Sequence, residues 1–184
     1  MKQAPQFFIL TPTQCAEIMA RNRIGRIAFK NGPSVDIEPT GYVARDSWLF
    51  LRSAYGAKLE ALAHNPYVAF EVDEVKGPLD WASVVAHGTV YMLPADGAPI
   101  EQQEYQRAME ALREVLPESL TTRDPVPERM MVYGLHIDRV TGRMARSTAA
   151  KRRSSGASAS EAAAAPAGSV GTARKRKSVA RRGR

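Results

Sequence analysis

Apolar and polar residues alternate with a period of two through most of the first 145 positions, and a helical period replaces that alternation in three places. "RIGRIAF" reads as a strand, and Asn31-Gly32-Pro33 behind it is a turn that sends the chain back as a hairpin. The returning segment, "SVDIEPTGYVA", reads as a strand interrupted by Pro39 and Gly41. Proline cannot donate to a sheet ladder, and glycine within a strand marks a bulge or the close approach of a ligand. Two readings therefore stand for this pair: an edge-strand irregularity, or a backbone opened for a ligand. "DSWLFLRS" and "PYVAFEVDEV" add strands, "WASVVAHGTVYML" is a long one, and "MMVYGLHIDRVTGRMA" supplies another.

The helical stretches carry their own punctuation. In "LTPTQCAEIMARN", Thr11 is the expected N-cap, Pro12 takes the first helical position and Gln14 has capping-box spacing. Cys15, Ile18 and Met19 then share a face. "AYGAKLEALAHNP" places Leu59, Leu62 and Ala63 at helical spacing and stops at Asn65-Pro66, while Tyr105, Met109, Leu112 and Leu116 form a stripe that ends at Pro117. About six strands with two or three short helices predict a mainly β (α+β) fold, a small barrel with helical decoration.

Composition changes this picture at one boundary. The 184 residues are 44% hydrophobic, enough for one real core with an appendage. From Arg146 onward, 11 Lys and Arg stand against the single Glu161, whereas residues 1–145 hold 15 basic and 18 acidic side chains. The positive formal charge of +7 thus belongs to a segment of Ala, Ser, Gly, Pro, Lys and Arg that buries too little surface to offset ordering entropy. The expected organisation is a folded domain over 1–145 and a disordered basic tail over 146–184.

Cys15 is the only cysteine, which excludes an intramolecular disulfide framework and a multi-thiolate metal site; it reads as a small core residue. The run "FFIL" is too short for a secretory signal, and no stretch approaches the ~20 apolar residues of a membrane span, so a cytoplasmic protein with no membrane partner is expected.

Conventional catalytic patterns are missing. His64, His87 and His136 lie far apart, no metal site is indicated, and no G-x-S-x-G, P-loop or G-x-G-x-x-G occurs. Glu71, Asp73 and Glu74 read as a solvated strand end. The catalytic residues stay unassigned, and any chemistry falls to a bound cofactor. One place suits an anion: the strand "WLFLRS" turns through Ser53 and Gly56 into a helix start that carries Lys58, which offers free backbone N–H groups and a cation together.

"GRIAF", "EPTGYV", "LFLRSAYGAKLEALAHNPYVAFEVD" and "WASVVAHGTV", in this order and spacing, resemble the FMN-binding split-barrel proteins related to pyridoxamine 5′-phosphate oxidase, including the 5-nitroimidazole-resistance type. The resemblance covers roughly residues 8 to 145 and implies an FMN-binding split β-barrel acting as an oxidoreductase on a small-molecule redox substrate. It implies that Arg52, Ser53 and Lys58 bind the FMN phosphate. It implies that Pro39, Thr40 and Gly41, within Glu38 to Tyr42, meet the flavin ring, and that Ser83, with Trp81 beside it, reaches the flavin of the second subunit of a homodimer. Two departures stand out. Arg52 replaces the His, Tyr or Thr of many relatives, and "LHIDRVTGRMARSTAA" lacks the Trp- and Arg-bearing segment of the true oxidases, so vitamin B6 synthesis is not implied.

A second reading comes from the tail. "AAKRR" and "ARKRKSVARRGR" are similar to basic arms that neutralise nucleic-acid phosphates, which would make the barrel a dimerisation platform and the tail a non-specific DNA or RNA contact.

Overall fold

The computed structural model describes residues 5–147; the basic tail and the disorder expected of it lie outside the described residues. The described chain runs β1 (Pro5–Ile9), α1 (Pro12–Arg21), β2 (Ile24–Asn31), β3 (Ser34–Arg45), β4 (Trp48–Ser53), α2 (Ala57–His64), β5 (Tyr67–Gly77), β6 (Asp80–Met92), α3 (Pro99–Val115) and β7 (Met131–Ser147). All pairings are antiparallel. The strand order is β1-β7-β4-β3-β2-β5-β6, and β6 also pairs with β7, so β2 to β7 close on themselves and β1 adds to the outside of β7. Closure pairs edges that an open antiparallel sheet would expose, while among the described residues the first part of β3 and the outer side of β1 keep a free edge.

Local signals held where they were local. The capping box at Thr11 is complete: Gln14 N–H donates to Thr11 Oγ1 at 3.3 Å, and Thr11 N–H donates to Gln14 Oε1 at 2.9 Å. Gly32 takes φ +58 in the β2–β3 hairpin, the left-handed region that favours glycine. Cys15 is a core residue, and burial pushes its thiol pKa up.

Three findings differ from the sequence reading. A seventh strand exists, β1, whose residues Phe7, Phe8 and Ile9 are exposed and carry no alternation. β3 is not interrupted: Pro39 lies opposite Arg26 and Gly41 opposite Ile24 in regular register. The proline is tolerated because β3 pairs with β4 only from Tyr42 onward, leaving residues 34–41 bonded on one side. Finally, Arg146 and Ser147 still pair with Gln6 and Pro5, so the sheet continues past residue 145.

Two cores follow from the alternation. Inside the barrel, Ile27, Tyr42, Leu51, Phe70, Val84, Tyr133 and Leu135 pack with α1 and α2 residues such as Ile18 and Leu59. On the other face of β3, β4 and β7, Val43, Phe50 and Val132 pack against Ala108, Met109 and Leu112 of α3.

Candidate functional site

β3 and β4 part company at Tyr42 and Leu51, the last pair in their ladder. Beyond that point the inward face of β3 carries Thr40 and Glu38, and β4 ends at Ser53 before α2 begins. β7 supplies the third wall, with Tyr133 opposite Leu51 and Met131 opposite Ser53. The alternation of the three strands thus gathers polar groups at the mouth of an otherwise apolar barrel.

Lys58 enters from the first turn of α2. Its side chain is nearly buried, and Nζ meets Glu38 Oε2 at 3.1 Å. The N-cap of α2 is Gly56, which supplies no side chain, so the N–H groups of the helix start have no side-chain cap. A Cβ added at Gly56 would meet nothing within 4 Å, and one at Gly41 would find only ordinary contacts, with Arg23 O at 3.8 Å and Ile24 Cδ1 at 4.0 Å. Neither glycine is demanded by the chain's own packing, and open space lies in front of Gly56.

Two tyrosines face each other across Leu51, and they differ. Tyr42 donates its hydroxyl to Met19 O at 2.8 Å. The Tyr133 hydroxyl is fully buried with no well-formed hydrogen bond. Burial pushes its pKa up to about 12; Thr40 beside it opposes that shift, the Glu38 carboxylate adds to it, and the Arg129 cation opposes it. A buried hydroxyl to which neighbouring Thr40 gives no well-formed hydrogen bond costs stability, and here it borders the polar mouth. Sequence reasoning missed Tyr133 and named Glu38 only as the start of the ring-contacting segment. The signal for Tyr133 was an inward-parity tyrosine beside the end of β4; Glu38 gave its signal as an acidic residue in a strand otherwise destined for the barrel interior.

Arg52 takes a different course. Neighbouring Ser53 in sequence, it points to the opposite face of β4, the one covered by α3. Its guanidinium forms a bidentate pair with Asp124: Nη2 donates to Oδ1 at 2.9 Å and Nη1 donates to Oδ2. Both side chains are buried. Asp124 also accepts the backbone N–H groups of Leu120, at 2.6 Å, and Val126, at 3.0 Å. Chiefly the Arg52 hydrogen bond holds the Asp124 carboxyl far below the usual carboxylate range. Arg52 therefore holds the α3–β7 connection instead of facing the mouth.

Lys58 meets Glu38, and Thr40 lies beside Tyr133 on the inward side of β3; Ser53 ends β4 opposite Met131, and Pro39 and Gly41 sit on the outer face of β3. Trp81 and Ser83 lie elsewhere, on β6 between β5 and β7, where Ser83 Oγ donates to Glu71 Oε1 at 3.0 Å. The acidic residues of β5 are engaged structurally: Asp73 with Arg26 at 2.6 Å, and Glu74 with Arg21 and Asn22. Among the described residues no helix is long and apolar enough to cross a membrane.

Residues 11–144 match the family model for pyridoxamine 5′-phosphate oxidase. No curated protein matches the chain. Among solved structures, a FAD-binding protein from Mesorhizobium loti is 25% identical, with a TM-score of 0.62, covering 76% of this chain and 99% of its own. A candidate 5-nitroimidazole antibiotic resistance protein from Bacteroides thetaiotaomicron is 16% identical, with a TM-score of 0.60, covering 79% of this chain and 91% of its own. A FAD-binding protein from Mycobacterium smegmatis is 22% identical, with a TM-score of 0.53, covering 75% of this chain and 97% of its own.

Proposed function

The chain belongs to the pyridoxamine 5′-phosphate oxidase family, and on that premise we propose that it is a flavoprotein whose barrel mouth holds the phosphate of FMN. The observation that carries this reading is the nearly buried Lys58 at the uncapped start of α2, paired with Glu38, with Thr40 and a Tyr133 hydroxyl that has no well-formed hydrogen bond on the same inward side and Ser53 at the end of β4. A hydroxyl, an ammonium and helix N-terminal N–H groups are the donors a phosphate dianion takes. The residues present fit the group.

Bound flavin would supply hydride or single-electron transfer to a small molecule, making the protein an oxidoreductase. The chain's own part is to bind and orient. Lys58 and Ser53 anchor the phosphate, and the segment of β3 before Tyr42, bonded on one side only, leaves the ring an approach to its backbone. Arg52 is left out of the cradle, since freeing it would strand the buried Asp124 carboxylate.

A homodimer completes the proposal. Ile24, Val35 and Ile37 stand exposed along the outer face of β2 and β3, an apolar surface of the kind that a second copy covers. Ser83 shares the outer side of the sheet, from which it would reach the partner's flavin.

The test is the spectrum of the purified full-length protein and its titration with FMN. Flavin absorption with stoichiometric FMN supports the reading; a colourless protein that cannot be reconstituted overturns it. The basic residues after position 145 support a separable, sequence-indifferent binding of nucleic acid. Salt titrations on two unrelated duplexes, with the full chain and with a chain ending at Ser147, check it: binding that survives the truncation removes the tail from that role.

A further inference from the structure

Lys58 already has an anion. Glu38 lies opposite the fully buried Ile27, which sets it on the inward face of β3 with Thr40, and its Oε2 stands 3.1 Å from Lys58 Nζ. The two partners are unequally held: the Lys58 side chain is 12% exposed and that of Glu38 is 44% exposed. The ammonium is confined to the mouth, whereas the carboxylate can turn into water.

We propose that Glu38 is the resident counter-anion of the cradle, displaced by the phosphate of an incoming flavin mononucleotide, and that it thereby sets the preference of the site for phosphorylated over uncharged flavin. This rests on the flavin reading above. A confined ammonium needs an anion beside it, because burial of an unpaired charge is costly. A phosphate dianion and a carboxylate cannot share that ammonium without like-charge repulsion, so one must leave. The half-exposed carboxylate leaves at small cost, since exposed ion pairs contribute little. Thr40 and the Tyr133 hydroxyl then remain as neutral groups on the phosphate side. The sequence places an acidic residue where an anion is to bind, and exchange is the arrangement that reconciles the two.

The experiment titrates the full chain with FMN and with riboflavin, which lacks the phosphate, comparing wild type with Glu38→Gln and Glu38→Ala. Both variants are expected to bind FMN about three- to tenfold more tightly and riboflavin unchanged, a gain confined to the charged ligand. An equal change for both flavins, no change for either, or weaker FMN binding overturns the proposal, the last by making Glu38 a direct ligand. FMN binding by wild type with unaltered variants leaves the cofactor reading standing without this inference. Absence of FMN binding by every protein, wild type included, removes both.

Discussion

Arg52 and Lys58 occupy one short strand–turn–helix stretch, and both look from sequence like phosphate ligands, yet they end in two unlike environments. Arg52 is clamped by both oxygens of a buried carboxylate that also holds two backbone N–H groups. Lys58 meets one oxygen of a carboxylate that is half in water. Strand parity makes the difference: Arg52 projects to the α3 face, and the turn after Ser53 carries Lys58 to the mouth. A buried, fork-shaped pair with satisfied oxygens is a fixture of the fold, because losing either partner strands a charge. A single-contact pair with one half-exposed partner is exchangeable, and exchange is what a binding site requires.

The largest effect comes from breaking the fixture. Asp124→Ala should lower Tm by roughly 10 °C or more, because it leaves a buried guanidinium unpaired and releases the turn from Leu120 to Val126. Below the transition the folded variant should bind FMN within about threefold of wild type. Thermal unfolding paired with FMN titration checks both; lost FMN affinity at an unchanged Tm would return Arg52 to the ligand and dissolve the contrast.

Lys58→Ala should do the converse. A charge-assisted phosphate contact is worth about 1.5–3 kcal/mol, so FMN affinity should fall tenfold or more, while the Tm should move by no more than about 2 °C. Unchanged FMN titrations would take Lys58 out of the cradle.

A third ion pair sharpens the scale between these extremes. Arg21 Nε and Nη2 donate to Glu74 at 2.7 and 2.8 Å, with Arg21 half exposed. The Arg21 hydrogen bond, opposed by partial burial and helped by Asn22, holds the Glu74 carboxyl down at about 2. Its folded pKa lies below the unfolded one. The pair therefore contributes its full stability above the ordinary carboxylate range and loses it as pH falls from about 4.5 towards 2. Asp124, also depressed, follows the same sign. Denaturant unfolding should show Glu74→Gln less stable than wild type at pH 7, with the gap closing as pH falls through this window. A gap independent of pH would mean that the pair adds packing and no charge.

The same contrast marks what the sequence could disclose. The Thr11–Gln14 capping box and the Asn31-Gly32 hairpin were legible because every participant sits within a few positions. The strand–turn–helix stretch that holds Ser53 and Lys58 was legible for the same reason. The fate of Arg52 was not, since its partner Asp124 belongs to an irregular connection far along the chain, and nothing local distinguishes a cation awaiting phosphate from one awaiting aspartate. β1 was missed because its residues show no alternation; its place is set by the end of β7. Trp81 and Ser83 lie on β6 between β5 and β7, and nothing local in their sequence tells where that strand stands relative to β3 and β4.

The smallest effect concerns the paired tyrosines. Tyr42→Phe strands Met19 O in the core and should cost about 1 kcal/mol, the usual net value of a buried hydrogen bond. Tyr133→Phe removes a hydroxyl that has no well-formed bond, so the folded protein should lose nothing and should gain a few tenths of a kcal/mol if the hydroxyl stays dry. If that hydroxyl is kept for the ligand, the variant should bind FMN about two- to fivefold more weakly at unchanged or improved stability. Equilibrium unfolding and FMN titration of the two single variants separate the cases. Equal destabilisation by both substitutions would show that the Tyr133 hydroxyl is already satisfied in solution, and the cradle would then rest on Ser53, Lys58 and the start of α2 alone.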